Sequence, residues 1–309
     1  MDFGKVDVSE INKVDFTFAL DSAFTKQTLN QCKPVVEPKI YIGCAKWGRK
    51  EWLGKIYPAK TKDADFLKEY VKHFNAIELN ATHYKMPDPA GIRKWREKVS
   101  GLDFKFCPKI TQSISHFGNL ASTPILDRQT KEFIIGVSAF EENLGPIFLQ
   151  LSDKFSPAKR ENLYEYLQKI PKNLSFFLEV RHSDWFGDKT IRKELLEVMR
   201  KNNIGAVITD TSGRRDLVHM ELTIPQTFIR FVGNNVHHSD YTRIDEWAKR
   251  IKTWLDKGLH EVYFFMHNTD EKNSPELCDY VIEQINKYCG TKIKRVQFIK
   301  EEKSKKLFS

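Results

Sequence analysis

Residues 175–181 read Ser-Phe-Phe-Leu-Glu-Val-Arg, an apolar run that turns charged only at its carboxyl end. A strand that is apolar on both faces belongs in a parallel sheet covered on both sides. Leu178 and Val180 fall on one phase of the pleat and suit a layer of covering helices, which sends Glu179 and Arg181 to the other face. Residues 76–80, Ala-Ile-Glu-Leu-Asn, repeat the arrangement: Ile77 and Leu79 face the helices, Glu78 and Asn80 the opposite side.

Working outward, six more short β-rich runs appear at 40–45, 104–109, 146–151, 205–210, 227–232 and 261–267. Amphipathic segments with helix-start signals lie between them at 63–74, 88–99, 127–140, 159–170, 189–202, 240–257 and 274–288. Two crossovers are irregular. Residues 111–124 are loop-like before their helix, and 211–226 carry Ser212-Gly213 with no clean helical period. Eight strand-and-crossover units predict an α/β fold, a single (β/α)8 TIM barrel. An open doubly wound sheet would show five or six strands and a glycine-rich phosphate loop. The expected organisation is an N-terminal extension over 1–38, the barrel over 39–290 and a short basic C-terminal tail over 291–309.

The chain has 309 residues and a net charge of +9. From Lys287 onward eight cations face only Glu301 and Glu302, so six of the nine net charges lie in the tail and the body is nearly neutral. A lysine-rich terminus is ordinarily a solvated tail, so nucleic acid is not the favoured partner. Five scattered cysteines without CxxC spacing argue against a disulfide framework or a structural zinc site. No apolar run approaches the roughly 18 residues that span a bilayer. A cytoplasmic, unprocessed protein without a membrane association is expected.

The motifs IGCAKWGRKEWLGKIYP, HFNAIELNATHYKMP, GPIFLQL, FFLEVRHSDWF, ITDTSGR and FIRFVGN, in that order, resemble the YecE-like proteins, domain-of-unknown-function family 72. The resemblance covers about residues 39–288 and implies a TIM barrel with a pocket, without specifying an activity. The chain departs from the family pattern in GCAKW and FMHN, at Lys46 and His267.

Barrel active sites lie at the carboxyl ends of the strands. Alternation points Lys109, Gln150, Asp210 and Arg230 inward there, beside Glu78, Asn80, Glu179 and Arg181, with His267 or Asn268 closing the ring. Six charged side chains at strand ends are more than an apolar barrel core needs, and unpaired buried charge is costly, so the set must pair internally or hold a polar ligand. Glu78, Glu179 and Asp210 are the candidate catalytic carboxylates. Glu179, beside Arg181, is expected to stay ionised, and a less compensated Glu78 to stay protonated as an acid. The remaining members, with Tyr84, His182 and Trp185, are candidate substrate contacts.

The expected substrate is small and polar or anionic, sugar-like or phosphorylated, and the reaction a hydrolysis or isomerisation. The alternative is a non-catalytic binding protein for a small anion or nucleic acid. A metal held by Glu78, Glu179, Asp210 and His267 is disfavoured by the interleaved cations, and no cofactor is expected. Trp47, Trp52, Tyr84 and Trp185 can equally rim the site or plug a core edge. Cys44 and Cys107 read as small core residues, and His116, His219 and the His237-His238 pair as ordinary loop histidines.

Overall fold

A computed structural model describes residues 4–299. Eight parallel strands follow in order: β1 (Lys39–Cys44), β2 (Ala76–Leu79), β3 (Lys105–Pro108), β4 (Ile147–Gln150), β5 (Phe176–Glu179), β6 (Ile204–Asp210), β7 (Gln226–Gly233) and β8 (Glu261–Asn268). Continuous pairing runs β3-β2-β1-β8-β7-β6-β5-β4. The two ends meet through single bridges, Phe106 to Leu144 and Lys109 to Phe148, where the Ile110 N–H donates to the Phe148 carbonyl at 2.9 Å. The sheet is a nearly closed (β/α)8 barrel, as the eight apolar runs predict.

Six of the seven crossovers, and the segment after β8, carry helices near the sequence-predicted segments, including Pro89–Glu97, Pro124–Ser138, Lys189–Lys201, His238–Leu255 and Ser274–Cys289. Their starts follow local chemistry: Asp88 accepts from the Ala90 and Gly91 amides, and Thr123 from the Leu126 amide, each ahead of a first-turn proline. Between β6 and β7 only a short 3-10 turn, Arg215–Leu217, is found among the described residues. The gap is filled by the amino-terminal residues, which run along the barrel exterior between helices Lys189–Lys201 and His238–Leu255.

The lumen is filled from below by Tyr41, Phe148, Phe177, Val207, Phe228, Tyr263 and Phe265. Phe228 sits centrally, its ring centroid 4.9 to 6.3 Å from those of Phe148, Phe177, Tyr263 and Phe265. Burying each such ring contributes roughly 1.5–3 kcal/mol. Crowding explains Gly205, since a Cβ there would lie 2.2 Å from the Phe177 ring.

The first part of the tail is not loose. Arg295 pairs with Asp279 and Glu283, Val296 is buried, and the Ile299 amide donates to the Lys55 carbonyl. Lys300, Lys303, Lys305 and Lys306 lie outside the described residues. No helix among the described residues is long and apolar enough to cross a membrane.

Candidate active site

Above the aromatic floor, at the carboxyl end of the strands, eight inward side chains form one hydrogen-bonded network. Arg230 of β7, fully buried, grips Glu78 of β2 with two bonds, Nε to Oε2 at 2.8 Å and Nη2 to Oε1 at 2.9 Å. Its Nη1 reaches Glu179 Oε2 of β5 at 2.9 Å, so one guanidinium bridges the two carboxylates across the lumen. The Phe148 ring lies 5.7 Å beneath its central carbon. Gln150 donates to Glu179 Oε2 at 2.8 Å and accepts from Lys109 Nζ at 2.6 Å. Arg181 Nε donates to Glu179 Oε1 at 2.7 Å, Asn80 donates to Glu78 Oε1 at 2.9 Å, and His267 Nε2 lies 2.9 Å from Glu78 Oε2. A cavity of about 190 Å³ lined by Ala45, Lys46, Trp47, Gly48, Glu78 and Asn80 opens beside the network.

The electrostatics follow from burial and partners. Burial would raise both carboxyl groups, but paired cations overcome it. Arg230 and His267 hold Glu78 well below the usual carboxylate range, and Arg181 with Arg230 holds Glu179 at about 2. The expectation of a protonated Glu78 is therefore corrected: the bidentate Arg230 compensates it, and both carboxylates are ionised. Lys109 moves the other way. Burial, with Arg230 and Arg181 nearby, lowers its amine to about 8 against the opposing pull of Glu179 and Glu78. Two carboxylates thus face two guanidiniums and an amine poised to lose its proton.

Most inward assignments agree with the structure; Asp210, Asn268 and Trp185 do not. Asp210 lies on the other face of β6, where its Oδ1 meets Arg243 and Arg215 and its Oδ2 accepts from the Trp247 indole at 2.8 Å. Thr209 takes the inward position beside Arg230. Without Asp210 the imagined four-ligand metal set is not assembled. Asn268 also faces outward, its Oδ1 accepting from the Asn235 and Thr269 amides, so His267 is the β8 member of the ring. Trp185 is a buried core residue whose indole donates to the Phe155 carbonyl at 2.8 Å, and Tyr84 is 74% exposed. His182 stands half-buried at the rim, 3.6 Å from Asp184.

Sequence reasoning missed His83 and understated His116. Their rings lie 5.0 Å apart, and Lys109 and Arg181 act electrostatically on both. Burial first, then Lys109, lowers His83 to about 4. His83 lies in the short helix Ala81–Tyr84 after β2 and His116 at the end of the short helix Gln112–Ser115 after β3, both beyond the strand-phase filter. Arg214 on the loop after β6 likewise reaches the Arg181 carbonyl, at 2.6 Å.

The fold and mouth together define a TIM-barrel protein with a cation-rich, ion-paired site at the carboxyl end of its strands. The chain belongs to the family described as protein of unknown function DUF72, whose profile matches residues 41–298. It is 28% identical over 266 residues to the UPF0759 protein YecE of Escherichia coli K12, covering 80% of this chain and 93% of that protein. It is 26% identical over 285 residues to the UPF0759 protein YunF of Bacillus subtilis, with 81% and 96% covered. A crystal structure of a DUF72 family protein from Thermotoga maritima aligns with a TM-score of 0.61 at 23% identity, covering 82% of this chain and all of that one. Another from Enterococcus faecalis aligns at 0.62 and 17%, covering 84% and 98%. These two likenesses show the fold.

Proposed function

We propose that the mouth is the active site of an enzyme acting on a small anionic substrate, sugar-like or phosphorylated, in which Lys109 transfers the proton and the surrounding cations hold the anion. The observation that carries this reading is the Lys109 amine. It is buried against two guanidiniums, and a pKa of about 8 lets it both give and take a proton near neutral pH. The carboxylates are poorly suited to that work, because Arg230 with His267 on Glu78, and Arg181 with Arg230 on Glu179, keep both ionised and so leave them weak bases without a proton to give. Isomerisation-type proton transfer therefore suits the site better than hydrolysis by a carboxylic acid and carboxylate pair, which lacks its acid. Glu78 and Glu179 fix Arg230, and the ring's remaining cations favour an anionic substrate over a neutral sugar.

A second reading has its own support. All four carboxylate oxygens of Glu78 and Glu179 already accept at least one hydrogen bond, as in a closed structural network. Isothermal titration of the wild type, Lys109→Met and Arg181→Ala against sugar phosphates and sugar acids separates the two. The enzymatic reading expects one ligand class to bind and Arg181→Ala to weaken it by about 1.5–3 kcal/mol. No binding across the panel, with Lys109→Met clearly less stable than wild type, would favour the structural network.

A further inference from the structure

The amino-terminal residues lie outside the family match, which begins at residue 41, yet they touch the rim of the mouth. Their lower part is an anchor. Ser22 donates to Glu221 at 2.6 Å, Thr25 to the Met220 carbonyl at 2.9 Å, Thr28 to the Leu222 carbonyl at 2.7 Å, and Arg200 donates to the Phe24 carbonyl at 2.9 Å. Above it the chain climbs the gap left by the absent sixth helix. Asp21 accepts from Arg250 at 2.6 Å and from the Trp254 indole at 3.0 Å, and Phe18 lies 4.7 Å from Trp247, ring to ring. The Phe16 ring covers Arg215 and Arg243 at 5.1 and 4.9 Å, and its carbonyl accepts from Arg215. At the top the Gly4 carbonyl accepts from the Gly213 amide at 2.8 Å and from the Thr211 hydroxyl at 2.9 Å. Gly4 has φ +70°, and a Cβ there would lie 2.5 Å from Thr211, so the close approach requires glycine.

The hydrogen bonds and ring contacts of this upper part end on the loop 211–217 or on the helix behind it, while residues 4–11 also border Val232–Asn235 and Thr269. The loop 211–217 carries Arg214, whose Nη2 donates to the Arg181 carbonyl at the mouth. We propose that residues 4–21 are a strap that stands in for the missing helix and, through the loop 211–217, positions Arg214 at the rim of the anion site. Phe16 is the positioning residue: its ring orders Arg215 and Arg243, and through them the loop. Apart from Ile11, the strap between Lys5 and Leu20 is exposed or only half-buried, so its local opening costs less than opening of the barrel. The loop's order therefore depends on the strap's few contacts.

The role assigned to Arg214 rests on the anion reading above; the ordering of the loop does not. The test is hydrogen exchange of the full chain, with inorganic phosphate as the probe ligand, in wild type, Phe16→Ser, Phe16→Tyr and Arg214→Ala. In Phe16→Ser the amides of 211–217 should exchange about tenfold faster or more while the barrel strands stay protected. Phe16→Tyr, which keeps a ring over the arginines, should restore wild-type exchange. Phosphate binding should weaken by similar factors in Phe16→Ser and Arg214→Ala, and combining them should add little, because both remove one interaction. Unchanged exchange over 211–217 in Phe16→Ser, or a uniform loss of protection across the barrel, would overturn the strap. If wild type binds no phosphate, the anion reading fails, and the exchange of 211–217 still decides the strap.

Discussion

Two buried ion networks lie on either side of the barrel wall, and they differ in balance. Outside, Asp210 and Asp240 face Arg243 and Arg215, two charges against two, with the Trp247 indole on the remaining Asp210 oxygen. That set joins β6 to the helix His238–Leu255 and to the strap. Inside, Glu78 and Glu179 are paired with Arg230 and Arg181, and Lys109 reaches Glu179 only through Gln150. Lys109 is thus held by an amide rather than a carboxylate, and burial lowers its amine to about 8. A balanced network serves the fold; an unbalanced one beside a cavity can accept an anion and move a proton.

The comparison breaks most easily at Arg230. Arg230→Met leaves two ionised carboxylates buried without their bridge, and should cost about 3–5 kcal/mol in urea unfolding. Loss of under 1 kcal/mol would mean that the inner network does not depend on its central cation. Asp210→Asn keeps the shape of the outer network and removes its charge. It should cost about 1–3 kcal/mol and weaken anion binding at the mouth less than Arg181→Ala does, since it acts there only through Arg215 and the loop 211–217. Weakened binding equal to that of Arg181→Ala would erase the distinction between the two sides.

Acid sharpens the contrast further. Glu179 titrates at about 2 in the folded chain against 4.5 as its ordinary value. A depressed carboxylate contributes stability that is present above the unfolded value and lost as pH falls toward the folded one. Unfolding free energy should therefore drop between pH 4.5 and 2, and the drop should shrink in Glu179→Gln. An equal slope in both proteins would contradict the assignment. The smallest effect is on Lys109 itself. Lys109→Met keeps the volume and removes a desolvated cation, so stability should change by less than about 1.5 kcal/mol while anion binding falls.

Much of this was legible in the sequence because strand alternation carries it. The runs AIELN and SFFLEVR offer one apolar phase and one charged phase, so Glu78, Asn80, Glu179 and Arg181 follow directly. In GAVITD both phases are partly apolar, and the charge at the end suggests the wrong one. The better clue is Gly205, which the crowded lumen requires and which puts Val207 and Thr209 inward and Asp210 outward. Trp185 and Tyr84 were illegible for another reason: a loop aromatic has no periodicity to say whether it plugs a core or faces water. His83, His116 and the strap depend on contacts between distant segments, such as Gly4 with Gly213, which no local pattern encodes.

Lys109 is the centre of the proposed chemistry, and its titration can be observed directly. Side-chain amine NMR of wild type, with the resonance assigned by its loss in Lys109→Met, should show a midpoint near 8, well below the ordinary 10.5. Added sugar phosphate should move that midpoint upward, because a bound anion favours the charged amine. A midpoint near 10.5 that no anion shifts would contradict the claim that the barrel mouth is built for proton transfer on an anionic substrate.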